Sequence, residues 1–533
     1  MKTFDYIIAG AGTSGCVLAK RLSANPSARV LLLEAGKKDN YFWIDIPIGY
    51  LFTINNPRTD WCYEIEPDVG LNNRSISYAR GKGLGGCSSI NAMIYMRGQR
   101  SDYDYWAQLG NRGWSWDEVL PVFKHSEDYQ HGEDEFHGIG GELSVEERRV
   151  NFEILDAWRD AAEASGIPKI EEFNRGDNLG NAYFQMNQRR GTRCSGARAF
   201  LRPILSRPNL TVLTEAHVQK LNFMTDADEK RCTGVTVRTA SGVETFSADK
   251  EVILATGSIG SPQILQVSGV GNGEHLNQLG IKPVHELPGV GENLQDHLQI
   301  RTIYKVKNTV TLNQRFNSLT GKAWMGLEYL LFKRGPMTMP PSQLGAFGKS
   351  DPDLAMPDLE WHVQPLSLDR FGEPLHKFDA ITPSVCILRP TSRGHVKIKS
   401  PDIANYPAIA LNYLSTLDDQ RTAIKGLKFT RRIMKADALT PFEPEELKPG
   451  PDIQSDEELL DAAGNLGTTI FHPVGTCKMG SDPMAVVDDR LRVHGIDGLR
   501  VIDASIMPTI TSGNTNAPTV MIAEKGARFI LGS

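Results

Sequence analysis

Three glycines close to the N-terminus are the first residues that could do chemistry, because Gly10, Gly12 and Gly15 form the pattern GxGxxG. Gly10 permits a tight turn, Gly12 lets backbone approach a pyrophosphate, and Gly15 lets a helix pack closely on a strand. A helix that begins here points unpaired N–H groups and the positive end of its dipole at the phosphates. Glu34, 19 residues after Gly15, can accept hydrogen bonds from a ribose diol. The spacing therefore predicts dinucleotide binding.

The flanking residues predict the βαβ unit that such a site requires. Residues 4–9 predict a buried strand, residues 16–22 a helix, and residues 28–33 a second apolar strand that ends at Glu34. An acid at this position argues against a 2′-phosphate, because two anions repel each other. The fingerprint does not separate NAD from FAD, and the alternative to a binding site is a purely structural turn.

The composition is that of a globular protein with more than one domain. The chain has 533 residues, of which 40% are hydrophobic and 23% charged, and its formal net charge is -6. These values argue against disorder and provide no basic surface for nucleic acid. No uncharged apolar run reaches the ~18 residues that span a bilayer, and the N-terminus does not resemble a signal peptide. The 7 cysteines form no CxxC pair, so we expect neither disulfides nor a metal site, and we expect a cytoplasmic protein.

A second glycine-rich loop, RGKGLGGCSSIN, spans residues 80–91. Four glycines within six residues let the backbone approach a flat ligand closely. A flexible surface loop is the alternative, but the apolar residues 92–96 that follow indicate a loop that leads into the interior. A third glycine turn ends the apolar stretch 250–257, and residues 258–271 predict a helix with Pro262 in its first turn.

The C-terminal part of the chain holds further polar residues in loops. His472 lies in the stretch FHPVGTCKMG, Asp503 ends a predicted strand over residues 499–505, and residues 511–518, TSGNTNAP, precede a predicted helix. An imidazole whose pKa lies near the working pH can accept a proton. Without further context, however, a histidine in a loop is more often structural.

Together these motifs resemble the glucose–methanol–choline (GMC) oxidoreductases, which are FAD-dependent. One family signature matches residues 81–104, with Cys87 where Gly, Ser or Thr is more usual, and a second matches residues 257–271. The resemblance covers essentially the whole chain and points to the choline-dehydrogenase-like and alcohol dehydrogenase branch. It implies an α/β fold, with a Rossmann-like FAD-binding domain interleaved with a substrate domain built on an antiparallel sheet with helices.

The resemblance also implies how the chain is divided. The FAD-binding domain is expected at residues 1–155, 206–300 and 465–533, and the substrate domain at 156–205 and 301–464. The sequence supports part of this division, because strand–turn–helix patterns concentrate in the FAD segments. Residues 392–399 alternate like a strand with one wet face, and residues 449–461 look like a linker that enters a solvated helix.

For the reaction, the resemblance implies that His472 and Asn514 form a pair facing the flavin. Oxidation of a primary alcohol to an aldehyde removes a hydroxyl proton and a hydride from one carbinol group. The imidazole of His472 would take the proton, the carboxamide of Asn514 would hold the alcohol oxygen, and flavin N5 would accept the hydride. The electrons would pass to oxygen or to a quinone-like acceptor, and the sequence does not decide between the two.

Family matches imply a set of residues that contact FAD. They are Gly10, Gly12, Thr13, Ser14, Gly15, Glu34, Ala35, Arg80, Gly83, Gly86, Ser88, Asn91, Ala92, Val218, Asp503, Ala504, Asn516 and Pro518. Asp503 would meet the pyrophosphate and ribose, Asn516 the flavin ring, and the backbone of Val218 the adenine. Ile90 stands where some relatives carry a histidine that tethers FAD, so we expect non-covalent FAD.

Two residues bear on the substrate. His362 falls where choline-oxidising relatives carry an active-site histidine, and Gln343 falls where they use a glutamate against the quaternary ammonium. An uncharged primary alcohol, aliphatic or aryl, is therefore the expected substrate. The alternatives are a non-redox lyase, like the family's hydroxynitrile lyases, and a non-catalytic flavoprotein. A homodimer is left open, and a quinone acceptor would place the enzyme at the periphery of the inner membrane.

Overall fold

Two sheets organise the computed structural model, which describes residues 2–226, 229–370 and 373–532. One sheet is parallel at its centre, and the other is antiparallel. Both sheets draw their strands from distant parts of the chain, so each is completed only when separated segments come together.

The first sheet has seven strands. In spatial order they are Leu210–Leu213, Val30–Leu33, Lys2–Ala9, Gly242–Leu254, Glu229–Thr239 and His217–Asp226, and Leu499–Val501 pairs alongside Gly242–Leu254. Lys2–Ala9 lies parallel to both of its neighbours. All four residues of Val30–Leu33 are buried, as expected for an inner strand of a parallel sheet.

The predicted βαβ unit is confirmed, with limits that differ by up to three residues. The helix Thr13–Leu22 begins directly after Gly12, so its first turn belongs to the glycine loop. Gly10 has a φ of +99°, and a β-carbon there would lie 2.5 Å from the carbonyl oxygen of Ala255. A β-carbon at Gly15 would lie 1.9 Å from the carbonyl oxygen of Gly10. Both positions therefore require glycine.

The second sheet has eight strands. They are Glu445–Lys448, Ile303–Lys305, Ala380–Ile387, Leu359–Gln364, Leu344–Gly348 and Gly180–Tyr183 in spatial order, with Leu298–Ile300 and Gly467–Thr469 paired at the side. Every residue of Ala380–Ile387 and Leu359–Gln364 is buried. Leu298–Ile300 and Gly467–Thr469 fall inside ranges that the sequence assigned to the FAD-binding domain, yet they pair in this sheet. The exact domain limits stay a prediction.

Nine helices of eight or more residues are present in the described part of the chain. They are Thr13–Leu22, Arg100–Gln108, Trp116–Ser126, Glu153–Ala164, Gly257–Val267, Leu319–Phe332, Leu417–Met434, Asp456–Leu466 and Asn516–Leu531. The first turn of Gly257–Val267 starts earlier than predicted, so Pro262 lies inside the helix. Within residues 392–399 only His395–Lys397 is a strand, because its partner Ala408–Ala410 is equally short.

No helix within the described ranges is long and apolar enough to cross a membrane. The same part of the chain contains no group of three or more His, Cys, Asp or Glu side chains arranged to hold a metal ion. All seven cysteines are free thiols.

Candidate active site

One cavity is lined by both sheets and by the loops between them. Most of the residues predicted from the sequence lie in its wall. These are Gly10, Gly12, Thr13, Ser14, Glu34, Ala35, Arg80, Gly86, Asn91, Ala92, Val218, His362, His472, Asp503, Ala504, Asn514 and Asn516. The fold therefore brings the glycine loops of the N-terminal half together with the polar loops of the C-terminal segment.

Five predicted residues are not brought to this wall. Gly15, Gly83, Ser88 and Pro518 lie one layer behind it: Gly83, for example, donates its N–H to the Glu34 carboxylate at 3.0 Å. The carboxamide of Gln343 is buried and has no hydrogen-bond partner among the described residues, and the wall beside it is formed by Pro341 and Ser342. A contact between Gln343 and the substrate therefore stays a prediction.

The first turn of the helix Thr13–Leu22 borders the cavity with an unsatisfied donor. The hydroxyl of Ser14 is buried and finds no hydrogen-bond partner in the described part of the molecule. A β-carbon at Gly86 would lie 2.7 Å from the Cα of Gly12, so the two glycine loops touch. A β-carbon at Gly12 would meet no atom closer than 3.9 Å. Open space, a helix N-terminus and a free hydroxyl together fit a pyrophosphate.

Glu34 connects three loops around this space. Its carboxylate accepts hydrogen bonds from the backbone N–H groups of Ala11 at 3.0 Å, Gly36 at 2.7 Å and Gly83 at 3.0 Å. Burial raises the pKa of Glu34, and the three N–H donors oppose that rise. The side chain therefore has a structural task, holding the glycine loops together, that the sequence did not reveal.

Asp503 has a similar task at the other side. One carboxylate oxygen accepts from Gly257 N–H at 2.8 Å and from the Ser261 hydroxyl at 2.6 Å. The other accepts from the N–H and the hydroxyl of Ser505, at 2.9 and 2.6 Å. Asp503 thus joins the end of the strand Leu499–Val501 to the start of the helix Gly257–Val267.

A buried arginine supports the second glycine loop. The guanidinium of Arg193 donates to the backbone oxygen of Asn91 at 2.7 Å, to the Asn91 side-chain oxygen at 2.8 Å and to the Ser88 carbonyl at 3.2 Å. The neighbouring Ile90 lines the cavity and carries no nucleophilic atom. Sequence reasoning missed Arg193, because no local motif links it to a loop more than 100 residues away.

His472 and Asn514 meet in a further part of the cavity wall, which we name the histidine end. The Nδ2 of Asn514 lies 3.0 Å from the Nε2 of His472, and both side chains are buried. Asp296 fixes the histidine loop, because one of its oxygens accepts from the His472 backbone N–H at 2.7 Å. Its other oxygen accepts from the hydroxyls of Thr469 at 2.6 Å and Tyr413 at 2.6 Å.

A second histidine sets the protonation pattern of His472. The Nε2 of His297 lies 3.0 Å from the carbonyl oxygen of Leu388, which can only accept, so His297 carries its proton there. The Nδ1 of a neutral His297 is then an acceptor, and the Nδ1 of His472, 3.0 Å away, must be the donor. The Nε2 of His472 consequently keeps its lone pair and accepts from Asn514. The network presents an unprotonated nitrogen at the cavity.

Burial also keeps this imidazole neutral. Loss of solvent is the main cause that lowers the pKa of His472 well below its ordinary value, and the positive charges that His297, His362 and Arg80 can carry lower it further. The carboxamide oxygen of Asn514 has no hydrogen-bond partner among the described residues. A base and an unpaired amide oxygen therefore lie side by side in a water-poor site.

His362 adds a third imidazole to this end of the cavity. Its ring stacks on Phe184, with ring centroids 5.0 Å apart. Its Nε2 lies 3.0 Å from a carboxylate oxygen of Glu360, which is fully buried behind it. Sequence reasoning found His362 but not Glu360, His297 or Asp296. Asp296 and His297 lie in the stretch GVGENLQDH over residues 289–297, and nothing in its sequence indicates the contact with His472.

Comparison with known proteins gives concordant matches. The family described as GMC oxidoreductase matches residues 4–299 with its N-terminal part and residues 390–523 with its C-terminal part. An alcohol dehydrogenase (acceptor) of Pseudomonas putida is 40% identical over 99% of this chain and 96% of its own. An oxygen-dependent choline dehydrogenase of Escherichia coli O45:K1 is 42% identical over 99% and 94%. The crystal structure of pyridoxine 4-oxidase from Mesorbium loti superposes with a TM-score of 0.88, 32% identity and 98% coverage of both chains.

Proposed function

The chain belongs to the GMC oxidoreductase family, and from that membership we propose that it is an FAD-dependent enzyme that oxidises a primary alcohol to an aldehyde. The observation that carries the proposal is the fixed tautomer of His472. Its Nε2 is unprotonated and accepts from the Asn514 carboxamide, in the cavity that the glycine loops border.

The residues around the glycine loops would hold FAD. The loop and helix start at Gly10 to Ser14 and the chain around Gly86 would receive the pyrophosphate, and Glu34 would lie by the ribose. Val218 would contact the adenine, and Asn91, Ala92 and Asn516 would lie by the flavin. When bound there, FAD supplies the acceptor for the hydride. Ile90 offers no atom for a covalent tether, so the proposal includes non-covalent FAD.

The protein's own part in the reaction is proton removal and orientation. The alcohol hydroxyl replaces the Asn514 N–H at the lone pair of His472 Nε2, and Nε2 then takes the hydroxyl proton, a contribution of roughly 10²–10⁴-fold in rate. The amide of Asn514 donates to the alcohol oxygen as it gains negative charge. Hydrogen bonding of the His472 Nδ1–H to His297 keeps the ring oriented while it becomes positively charged. Burial of all three side chains excludes water from the exchange.

Three finer statements belong to the same proposal. An uncharged primary alcohol is the preferred substrate, because no cavity-lining carboxylate lies near His472 to pair with a quaternary ammonium among the described residues. The electrons leave to oxygen or to a quinone-like acceptor. Seven free cysteines suit the reducing cytoplasm. The proposal keeps two interleaved domains, although the strands Leu298–Ile300 and Gly467–Thr469 pair in the second sheet and not in the first.

Anaerobic mixing of the FAD-loaded enzyme with an alcohol tests the reaction class. A neutral primary alcohol should bleach the visible absorbance of the flavin and yield one aldehyde per flavin, and choline should react with a lower kcat/KM. The rates at which air and a quinone reoxidise the reduced flavin are then compared, and the faster oxidant is the electron acceptor. No relative described above is named a lyase. The result that would contradict oxidation and favour a lyase has two parts. No alcohol bleaches the flavin, and the enzyme cleaves a cyanohydrin while the flavin absorbance stays unchanged.

Release of the flavin tests its attachment separately. Acid precipitation should leave yellow FAD in the supernatant. Colour that stays with the protein pellet would contradict non-covalent binding.

A further inference from the structure

The helix Leu319–Phe332 exposes an unusual amount of apolar surface. Leu319 is 85% exposed, Leu330 70% and Trp324 67%. Within the helix only Met325 and Tyr329 are buried. The helix is therefore attached to the protein along a narrow strip, and most of its apolar side chains face away from the core.

These side chains share one side of the helix. At 100° per residue, Leu319, Leu330, Leu327, Leu331 and Trp324 fall within an arc of about 140°. We name these five residues the apolar face. Contiguous exposed apolar surface is uncommon on a monomeric soluble protein and marks an interaction site.

Aromatic residues of an earlier segment lie next to this helix. Phe42 is 66% and Phe52 37% exposed, and Phe52 stacks on Trp43 with ring centroids 4.1 Å apart. The turn Pro47–Gly49 between them contacts the turn Pro336–Thr338 that follows the helix. Exposed aromatic side chains therefore also occur in a segment whose turn contacts the turn that follows the helix.

Positive charges accompany the apolar face. Residues 312–334 contain four basic side chains and a single acidic one, Glu328, in a chain whose net charge is -6. The basic residues are Arg315, Lys322, Lys333 and Arg334. Lys322 is exposed and lies over the Phe316 ring at 4.8 Å, and Arg334 is exposed. Leucines and a tryptophan framed by lysine and arginine are the composition of helices that lie in the surface of an anionic bilayer.

We propose that the apolar face docks on a lipid bilayer that contains anionic lipids. The helix would lie in the interface, with leucines and Trp324 among the acyl chains and the basic residues at the phosphates. A second copy of the chain fits the apolar face less well. In a two-fold dimer the same surface of both copies would be in contact, so the basic residues of the two copies would lie close together and repel each other. The docking surface is independent of the proposed reaction.

The position of the helix gives docking a consequence for the cavity. The turn Pro336–Thr338 follows the helix closely, and only Met339 and Pro340 separate it from Pro341 and Ser342 in the cavity wall. Docking would hold this wall close to the bilayer surface, where apolar alcohols and quinones concentrate. This consequence, unlike the docking itself, rests on the proposed function.

Flotation of the FAD-loaded full-length protein with lipid vesicles tests the proposal. The protein should float with phosphatidylcholine vesicles that contain phosphatidylglycerol, and less with phosphatidylcholine alone, and salt should weaken binding. The double variant Trp324→Glu/Leu330→Glu should partition at least about tenfold less. The variant Lys322→Gln/Lys333→Gln should lose about tenfold on anionic vesicles and less on neutral ones.

A matched control replaces exposed apolar residues elsewhere. Met224 and Val243 are 57% and 67% exposed on two antiparallel strands of the first sheet, so Met224→Glu/Val243→Glu should bind vesicles like the wild type. Absence of flotation by the wild type, or equal flotation of Trp324→Glu/Leu330→Glu, would overturn the proposal. A dimer in sedimentation that the same double variant converts to a monomer would also overturn it and assign the face to a second copy.

Discussion

The two ends of the cavity are built in different ways. At the glycine end the ligand-facing groups are backbone N–H and Cα positions, set by short contiguous motifs such as Gly10 to Gly15. At the histidine end they are the side chains of His472 and Asn514, with His297 behind His472, and the contacts among the three join residues 42 and 175 positions apart. The function of the glycine end depends on how closely a ligand can approach the backbone. The function of the histidine end depends on which nitrogen atom carries a proton.

This difference separates binding from chemistry. A substitution at the glycine end should change the affinity for FAD, and a substitution at the histidine end should change the rate with FAD still bound. Variants at the two ends should therefore differ in which of the two quantities changes.

Replacing His472 by Ala removes the base at the histidine end. We expect the rate of flavin reduction by a primary alcohol to fall by roughly 10²–10⁴-fold, with the FAD content of the purified protein unchanged. Stopped-flow absorbance without oxygen measures the rate. A wild-type rate in His472→Ala would show that His472 is not the base. Loss of FAD from this variant would show that the histidine end also contributes to FAD binding.

Replacing His297 by Leu removes the acceptor for the His472 Nδ1–H. The proton can then move to Nε2, so we expect kcat to fall by roughly 10–100-fold with little change in KM. His297→Gln keeps an acceptor oxygen and should restore part of the rate. If Leu and Gln at this position give equal activity and equal pH profiles, His297 only fills space.

Replacing Gly12 by Ala tests the glycine end alone. The new β-carbon fits the protein, with no atom closer than 3.9 Å, but it would occupy space proposed for the pyrophosphate. We expect about tenfold weaker FAD binding and an unchanged melting temperature of the apoprotein. Gly326→Ala is the control, because a β-carbon there meets nothing within 4 Å. If Gly12→Ala binds FAD with unchanged affinity, the pyrophosphate does not lie beside Gly12.

The smallest expected effect is that of pH on kcat/KM between pH 8 and 6.5. The reaction requires the neutral form of His472, whose pKa lies well below 6.5 because the ring is buried. As pH falls from 8 to 6.5 the ring stays neutral, so kcat/KM should not decline through this group, and the acid limb should lie lower. An acid limb centred above pH 7 that disappears in His472→Ala would contradict this assignment.

The same contrast explains what sequence could predict. The βαβ unit and the glycine turns follow from local patterns, and the helix start at Thr13 was missed by only three residues. The pair His472 and Asn514 was found through family resemblance, because spacing alone does not bring two loop residues together. His297, Asp296 and Glu360 were missed, since their roles arise from contacts across the fold. The role of Gln343 stays a prediction, since its neighbours Pro341 and Ser342 lie in the cavity wall.

A crystal structure of the FAD-loaded enzyme with an alcohol-like inhibitor tests the central claim most directly. We expect the inhibitor hydroxyl to lie about 2.6–3.2 Å from the Nε2 of His472, with the Asn514 amide on the same oxygen and both side chains facing the flavin ring. A structure in which either side chain points away from the ring, with no room for an alcohol between them, would contradict it.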